Sequence, residues 1–310
     1  MVDNPFMSLL PSHMCFIQRG WLSANHLLLL GPSDSVLIDS GYVSHREQTL
    51  SLLSHALNGR GLDRLLNTHL HSDHCGGNAA LKDRYPLLQT TIAPGLVDAV
   101  RRWDEEQLTY LPTGQDCPPF SFDHVLTTES EIELAGDIWQ VHAAPGHDPH
   151  SVILFQPDHG VLVSADALWE NGFGVVFPEI EGQDGFSGIA HTLNVIERLS
   201  PRVVVPGHGA IFTDVALALV KARQRLAGFQ AQPSKHASHA AKVLLKFKLL
   251  DWQHISETEL LGWSQHCTYL HALHRNHFAK QDLQGWIATC MEDLVKAGAA
   301  QRDGPYWLNV

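Results

Sequence analysis

The sequence is poor in the features that mark secreted, membrane-bound and disulfide-rich proteins. Its 310 residues contain only five cysteines, which are scattered and never arranged as C-x-x-C. Neither a disulfide framework nor a thiolate zinc site is therefore indicated. The first residues lack a basic start followed by an apolar run, and the apolar stretch 27–30 is far too short to span a bilayer. We therefore expect a soluble, cytoplasmic protein with no membrane association.

Basic residues are also scarce. The chain has 21 Lys/Arg against 33 Asp/Glu, a formal net charge of −12. The imbalance lies before Lys235, because the segment from there onward carries eight basic and seven acidic residues. An acidic main part repels phosphate backbones, which favours a small-molecule substrate over a nucleic acid. The hydrophobic fraction of 44% is sufficient for a substantial core, and the length predicts one large domain with a small one.

Short apolar runs alternate with helical spacings along the first part of the chain, which predicts an α/β fold. Adjacent runs at 25–30 and 35–38 read as a hairpin, so we expect mixed rather than all-parallel sheets. The polar, proline-containing segment 111–123 predicts a long loop that forms a wall or lid. Further strands are predicted at 62–68, 90–93, 138–142, 152–155, 161–164 and 203–205, and helices at 45–57, 96–106, 189–199 and 215–229.

The polar segment 230–239 contains a proline and predicts a domain junction. We therefore expect a main domain over residues 1–230 and a C-terminal domain over 231–310. The latter shows helical patterns at 240–250, 257–274 and 283–296, followed by a hairpin with its turn at Asp303-Gly304. This pattern predicts a small, mainly helical, winged-helix-like module.

One histidine-rich segment stands out among the 21 histidines of the chain, T-H-L-H-S-D-H-C-G-G at 68–77. It follows an apolar strand. If that strand continues through His71, period-two alternation places His69 and His71 on one face. Asp73 and His74 then fall in the turn beyond. Four ligand-type side chains would converge there, and imidazoles with carboxylates suit Zn²⁺, Mn²⁺ or Fe²⁺.

Three later segments each present one further ligand-type residue just after a predicted strand. They are His147 in A-P-G-H, Asp166 in V-S-A-D and His208 in V-P-G-H-G. In each case a turn or a small residue lies beside the side chain. Such a recurrence is what a composite metal site at one sheet edge requires.

In this order the motifs resemble those of the metallo-β-lactamase superfamily, over about residues 27–226. The resemblance implies an αββα sandwich of two mixed β-sheets flanked by helices. It also implies a hydrolase with two divalent metal ions, Zn²⁺ first and Mn²⁺ or Fe²⁺ as alternatives, whose bridging hydroxide attacks the substrate. Asp73 has a second implied role, in orienting the nucleophile or moving a proton. The implied ligands are His69, His71 and His147 for the first ion, Asp73, His74 and His208 for the second, and Asp166 as the bridge.

Several neighbouring residues carry two interpretations. Asp39, before Gly41, matches a family carboxylate that orients a ligand histidine, and it could equally cap a turn; the two roles are compatible. His150 stands where relatives have glycine, so it is a candidate catalytic residue that contacts the substrate, with a solvent-facing turn histidine as the alternative. Cys75 is interpreted as a buried thiol. The segment 168–177 is either an apolar substrate wall or simple packing.

The resemblance alone leaves the reaction open. Hydrolysis of a thioester or ester, as in the glyoxalase II branch, fits the motifs, although the C-terminal module lacks an evident Lys/Arg cluster for a glutathione tail. The alternatives are a phosphodiesterase or endoribonuclease, which the acidic charge disfavours, a lactonase, a mono-iron persulfide dioxygenase and a non-catalytic metal-binding sensor. A bridging Asp166 and the missing export signal count against β-lactam hydrolysis. A homo-oligomer is compatible with the sequence.

Overall fold

Two mixed sheets form the centre of the molecule in the computed structural model, which describes residues 9–310. In the first sheet the spatial order of the strands follows the sequence. The first three strands pair antiparallel and the rest pair parallel, as the predicted hairpin and mixed sheet require. Its strands are β1 (Met14–Ile17), β2 (His26–Leu30), β3 (Ser35–Ile38), β4 (Arg64–Leu66), β5 (Gln89–Ile92) and β6 (His124–Val125).

The second sheet has the order β11-β10-β9-β8-β7. Only the β10–β11 pair is parallel, and the other pairs are antiparallel. The predicted αββα arrangement of two mixed sheets with flanking helices is therefore confirmed. The strands are β7 (Ser130–Leu134), β8 (Asp137–Ala143), β9 (Val152–Gln156), β10 (Val161–Ala165) and β11 (Val203–Pro206).

Buried residues on alternate positions of the strands face two different cores. Leu27 and Leu29 of β2 pack with Trp139 of the opposite sheet, in the core between the two sheets. Leu28, between them in sequence, faces the other way and packs with Leu53 of a flanking helix. Because both faces of these strands are covered, their sequences are continuously apolar rather than alternating.

Helices cover the outer faces of both sheets. Two of the longer ones begin at aspartates, Asp184 and Asp214, whose carboxylates accept the backbone N–H groups of Ser187 and Leu217. The helix predicted at 96–106 is shorter because Trp103 takes a left-handed conformation, with φ 53°, and ends it. The helices are α1 (Arg46–Leu57), α2 (Ser72–Cys75), α3 (Asn78–Arg84), α4 (Val97–Arg102), α5 (Tyr110–Thr113), α6 (Phe177–Ile180), α7 (Gly185–Leu199) and α8 (Val215–Ala231).

Strand β4 is shorter than the strand predicted at 62–68. The backbone leaves the first sheet at Thr68, whose N–H donates to Asp39 and whose carbonyl accepts the N–H of Val152 in the second sheet. The strand therefore does not continue through His71, which was the condition for placing His69 and His71 on one face by alternation. His69 and His71 lie in an irregular segment, and α2 follows it directly.

Helices and a small antiparallel sheet make up the C-terminal region. The predicted helix at 257–274 is two helices, separated by the buried Cys267, and the predicted terminal hairpin is present. A third strand joins this hairpin, which the sequence did not predict; the winged-helix-like character of the module stays a prediction. The elements are α9 (Pro233–Trp252), α10 (Glu257–Ser264), α11 (Thr268–Leu273), α12 (Leu283–Lys296), β12 (His254–Ser256), β13 (Ala300–Asp303) and β14 (Tyr306–Asn309), in the sheet order β12-β14-β13.

The predicted junction at 230–239 is almost entirely helical. Helix α8 runs to Ala231 and α9 begins at Pro233, so only Gln232 separates them. Helix α9 packs directly on the main part of the chain, where the N–H of Val176 donates to Nε2 of His236 over 3.1 Å. None of the helices within residues 9–310 is both long and apolar enough to cross a membrane.

The docking of α9 is expected to weaken at acid pH. Burial, with the charge of Arg225, lowers the pKa of His236 to about 4 and that of His239 to about 3. An unfolded chain binds these protons near pH 6.5, so stability is present above that pH and is lost as the pH falls towards 4. At pH 5 the loss is on the order of 2 kcal/mol for each histidine.

A His236→Gln variant tests this expectation, because the amide oxygen can accept the Val176 N–H and does not titrate. We expect its free energy of unfolding in urea to fall less than that of the wild type between pH 7.5 and pH 5. His191→Gln, at an exposed position of α7, serves as the matched control. Equal pH dependence in all three proteins would exclude His236 as a source of acid sensitivity.

Candidate metal centre

The predicted ligand residues come together at one end of the sandwich, where strands from both sheets end. They form two groups, and in each the ligand atoms lie within 4.8 Å of one another. His147 follows β8, Asp166 follows β10 and His208 follows β11, so three separate loops meet the His69–His74 segment. The first group is His69, His71 and His147; the second is Asp73, His74, Asp166 and His208.

Three imidazoles make up the first group. Nδ1 of His71 lies 2.8 Å from Nε2 of His147, and the ring of His69 stands at 84° and 89° to these two rings. Nε2 of His69 is buried and has no hydrogen-bond partner among the described residues. A buried polar atom without a partner is costly, so this geometry fits a cation between the three rings.

The second group combines carboxylates with imidazoles. Oδ2 of Asp73 lies 3.0 Å from Nε2 of His208 and 3.8 Å from Nε2 of His74. Nε2 of His74 is fully buried and, within residues 9–310, also lacks a hydrogen-bond partner. This donor set likewise fits a first-row divalent ion.

Asp166 lies between the two groups. Its Oδ2 is 3.4 Å from Nε2 of His147 in the first group, and its Oδ1 is 3.4 Å from Nε2 of His74 in the second. Gly207 makes room for this carboxylate, since a Cβ there would lie only 2.2 Å from Oδ1 of Asp166. One oxygen therefore faces each group, as a bridging ligand requires.

Polar groups outside the two ligand groups contact a ring nitrogen of several ligand histidines and so orient their rings. Nδ1 of His74 lies 2.8 Å from Oδ2 of Asp39, so the predicted contact of Asp39 with a ligand histidine is present. Nδ1 of His147 donates to the carbonyl of Val175 over 2.6 Å. Asp148, which the sequence interpretation missed, lies with Oδ2 at 3.7 Å from Nε2 of His71. Its only signal was its position directly after His147. Such partners select the tautomer that directs the other nitrogen to the metal.

The charges of the cluster suit cation binding. Burial and the neighbouring His147 lower the pKa of His71 to about 4, so its ring is neutral and able to ligate at neutral pH. Burial by itself would raise the pKa of Asp166, but His208 and His74 outweigh it and hold that pKa well below its usual range. Burial by itself would lower the pKa of His74, but the carboxylates of Asp39 and Asp166 outweigh burial and hold that pKa well above its usual value. The surroundings of His74 thus favour positive charge.

Two other predicted residues lie outside this cluster. The ring of His150 packs against Gly95, where a Cβ would approach its Nδ1 to 2.2 Å, and it is not among the described residues that line the adjoining cavity. A contact with the substrate thus has no support there, and its catalytic role stays a prediction. Cys75 is fully buried with Sγ 3.2 Å from Oη of Tyr110, as expected for a buried thiol.

A cavity of about 560 Å³ opens onto the cluster. The predicted loops contribute to its wall, through Gln115 of the earlier one and Trp169 of the later one. Trp21, which the sequence interpretation missed, stacks on the ring of His208 with centroids 5.3 Å apart and planes 5° apart. It also meets Trp169 edge-on and is 56% exposed. An aromatic pair, one member exposed and the other half-buried, therefore lies beside the second ligand group.

Comparison with known families agrees with this geometry. The family model described as the metallo-beta-lactamase superfamily matches residues 19–208, which contain both ligand groups. The chain belongs to the metallo-β-lactamase superfamily. Its fold, the two mixed sheets with the ligand residues at one end, is that of the family.

Individual relatives are more distant. The chain is 29% identical over 230 residues to a hydroxyacylglutathione hydrolase of Anaeromyxobacter dehalogenans, covering 74% of this chain and 78% of that protein. A protein of the same name from Microcystis aeruginosa is 32% identical over 38% of this chain and 41% of its own length. Among solved structures, a metallo-beta-lactamase family protein from Thermus thermophilus covers 97% of this chain and 99% of its own, with a TM-score of 0.58 and 20% identity. A beta-lactamase domain protein from Burkholderia ambifaria covers 99% and 98%, with a TM-score of 0.58 and 18% identity.

Proposed function

We propose that this chain is a dinuclear metal-dependent hydrolase that cleaves a small-molecule thioester or ester. The observation that carries the proposal is the position of Asp166, with one carboxylate oxygen towards each ligand group. A mononuclear or vestigial site would not require a carboxylate in that position. The relatives named hydroxyacylglutathione hydrolase support a thioester as the substrate class.

The donor atoms fit two ions of the zinc type. The first group consists of three imidazoles, and the second adds carboxylates, a combination that suits Zn²⁺, with Mn²⁺ or Fe²⁺ as alternatives. Two such ions, bound there, would lower the pKa of a bound water molecule. They would also place positive charge next to the oxyanion that develops during the reaction.

The protein residues position and move protons around this chemistry. Of the two ligand carboxylates, Asp73 has the more exposed side chain, at 14% against 5% for Asp166. Asp73 also lines the cavity. Burial would raise its pKa, but His74 and His208 outweigh burial and lower it, so Asp73 is ionised at neutral pH. It can accept a proton and return it to the leaving thiolate or alkoxide. Trp21 and Trp169 form an aromatic part of the cavity lining.

Metal removal is the direct test of this proposal. Zinc-loaded protein is expected to hydrolyse S-acyl N-acetylcysteamine thioesters and p-nitrophenyl esters. A chelator should abolish the activity and added Zn²⁺ should restore it, because the nucleophile depends on the ions. Elemental mass spectrometry should find about two ions per chain, the number a bridging carboxylate between two ligand groups implies.

One control removes a competing cluster from this count. His13, Asp137 and His159 also form a group with metal-ligating atoms, so stoichiometry is measured in parallel on the His159→Ala variant. Undiminished turnover in chelator would contradict the proposal. About one iron per chain together with oxygen uptake would replace it with a dioxygenase.

A further inference from the structure

The cavity beside the metal centre continues across the C-terminal helices. Helix α9 presents Val243, Phe247 and Leu250 to it, and these residues recur on one face of a helix, three and four positions apart. Leu294 of helix α12 and Ala297, directly after that helix, add to the lining. These five residues are named the α9 arm. It is an apolar extension of the cavity.

Val243, Phe247 and Leu250 of the α9 arm lie outside the buried core of the C-terminal region, whereas Leu294 belongs to it. Leu245 and Leu249, on the other side of α9, are fully buried in that core. Val243 is 36% exposed, and Phe247 and Leu250 are half-buried. An apolar stripe left open to a cavity is a feature of binding sites rather than of packing.

Apolar and aromatic surface connects the arm with the ligand residues. The ring of Phe177 lies 4.8 Å from that of His71, between centroids, and 5.5 Å from that of His147. Phe177 and Val175 line the same cavity as the α9 arm. A group bound along the arm would therefore extend to the reacting centre.

The cations that line this cavity already have partners. Lys242 pairs with Asp293 at 3.5 Å, and Nζ of Lys246 donates to the carbonyl of Ala299 and to Asn309. Arg225 lies 2.6 Å from Nε2 of His239. Lys242 thus lies beside a carboxylate, whereas Lys246 and Arg225 keep their positive charge and direct N–H groups to uncharged partners within the chain. Val243, Phe247 and Leu250 themselves present only apolar atoms to the cavity.

We infer that the α9 arm binds a long apolar acyl group, so that the hydrolase prefers medium- and long-chain acyl thioesters or esters. This inference rests on the proposed function. In the reaction, water adds to the acyl carbon and the C–S or C–O bond breaks. The leaving thiolate or alkoxide takes one proton of the water and becomes a thiol or alcohol. The acyl group leaves as a carboxylate and the second proton is released, with no change of oxidation state. Val243, Phe247 and Leu250 are then specificity-determining residues.

The inference predicts a dependence on chain length. For acetyl, butanoyl, hexanoyl, octanoyl and decanoyl thioesters of N-acetylcysteamine, kcat/KM should rise about two- to threefold with each buried methylene, somewhat below the full transfer value because the arm is partly open. Val243→Asp places a carboxylate in the arm. It should lower the ratio of kcat/KM for the decanoyl thioester to kcat/KM for the acetyl thioester about tenfold or more. Val243→Thr, of similar size, should show a smaller loss in the same direction.

Val220→Asp is the matched control, because Val220 is 49% exposed on α8 and is not among the described residues that line the cavity. It should behave as the wild type. Calorimetric titration of zinc-loaded protein with decanoate gives a readout without turnover, and Val243→Asp should weaken this binding about tenfold or more.

Each remaining outcome is decisive. Equal kcat/KM for all chain lengths, or an equal loss in Val243→Asp for acetyl and decanoyl substrates, would overturn the inference while leaving the hydrolase in place. The inference would also be overturned if the wild type is a dimer, Val243→Asp converts it to monomers and the chain-length profile stays unchanged. The arm would then be an interface between two copies. Absence of all turnover, with decanoate binding that depends on Val243, would contradict the proposed function and support the arm.

Discussion

Replacing Asp166 with alanine is expected to remove both metal ions and the hydrolase activity together. Its two oxygens face Nε2 of His147 and Nε2 of His74, each at 3.4 Å, and no other described carboxylate lies between the two groups in this way. Without the bridge, the two positions become independent and lose the shared negative charge. Because bound ions supply several kcal/mol of transition-state stabilisation, kcat/KM should fall by about 10³-fold or more.

The measurement combines steady-state hydrolysis with elemental analysis of the Asp166→Ala protein. Asp166→Asn is the conservative companion, since it keeps one oxygen and the volume that Gly207 accommodates. Asp83→Ala, at an exposed position of α3, controls for the loss of an acidic side chain as such. If Asp166→Ala binds about two ions and turns over normally, the bridging assignment and the proposed mechanism both fail.

Replacing Asp39 with asparagine is expected to weaken the second metal position selectively. Asp39 Oδ2 lies 2.8 Å from Nδ1 of His74, while its Oδ1 accepts the N–H of Thr68. Asparagine keeps the contact with the backbone N–H of Thr68 and tolerates the left-handed backbone of this position, with φ 60°. It loses Oδ2, which also accepts the Thr68 hydroxyl at 2.8 Å. Its amide N–H would then face the protonated nitrogen of His74. Losing such a carboxylate lowers metal affinity about 10- to 100-fold.

Competition with a chromophoric chelator checks this expectation by resolving the two ions. The Asp39→Asn protein should release one ion about 10- to 100-fold more readily and hold the other as the wild type does. Its thermal midpoint in the metal-free state shows whether the loss is local. Unchanged affinity at both positions would remove Asp39 from the metal centre and leave it as a turn residue. An equal loss at both positions would show a structural rather than an orienting role.

Local sequence patterns predicted much of the main domain. Strands such as β9 and β10 are short, wholly apolar and flanked by turn residues, so their positions follow from neighbours in the sequence. Predicted segment ends were less accurate where long-range contacts intervene. β4 stops early because Thr68 bonds to Asp39 and to Val152, and neither contact leaves a signal within the strand.

The sequence by itself determined that His69, His71, Asp73 and His74 meet, because all four lie within six consecutive positions after one strand. It also indicated that His147, Asp166 and His208 join them, since each follows a buried strand. The H-x-H-x-D-H spacing and the order of the four motifs together pointed to the family.

Only the tertiary structure decided what surrounds these ligands. Trp21 stacks on His208, and Tyr42 contacts Phe247 of α9 edge-on at 5.0 Å, although long stretches of chain separate the partners. Lys242 and Lys246 carry no visible partner in the sequence, yet in the fold Lys242 lies beside Asp293 and Lys246 donates to Asn309. Each ligand motif can be recognised in a short stretch of sequence, because the geometry of one strand and its following turn positions the ligand residues. The walls and charges of the cavity depend on which distant elements pack together. That packing is determined by the burial of apolar surface along the whole chain.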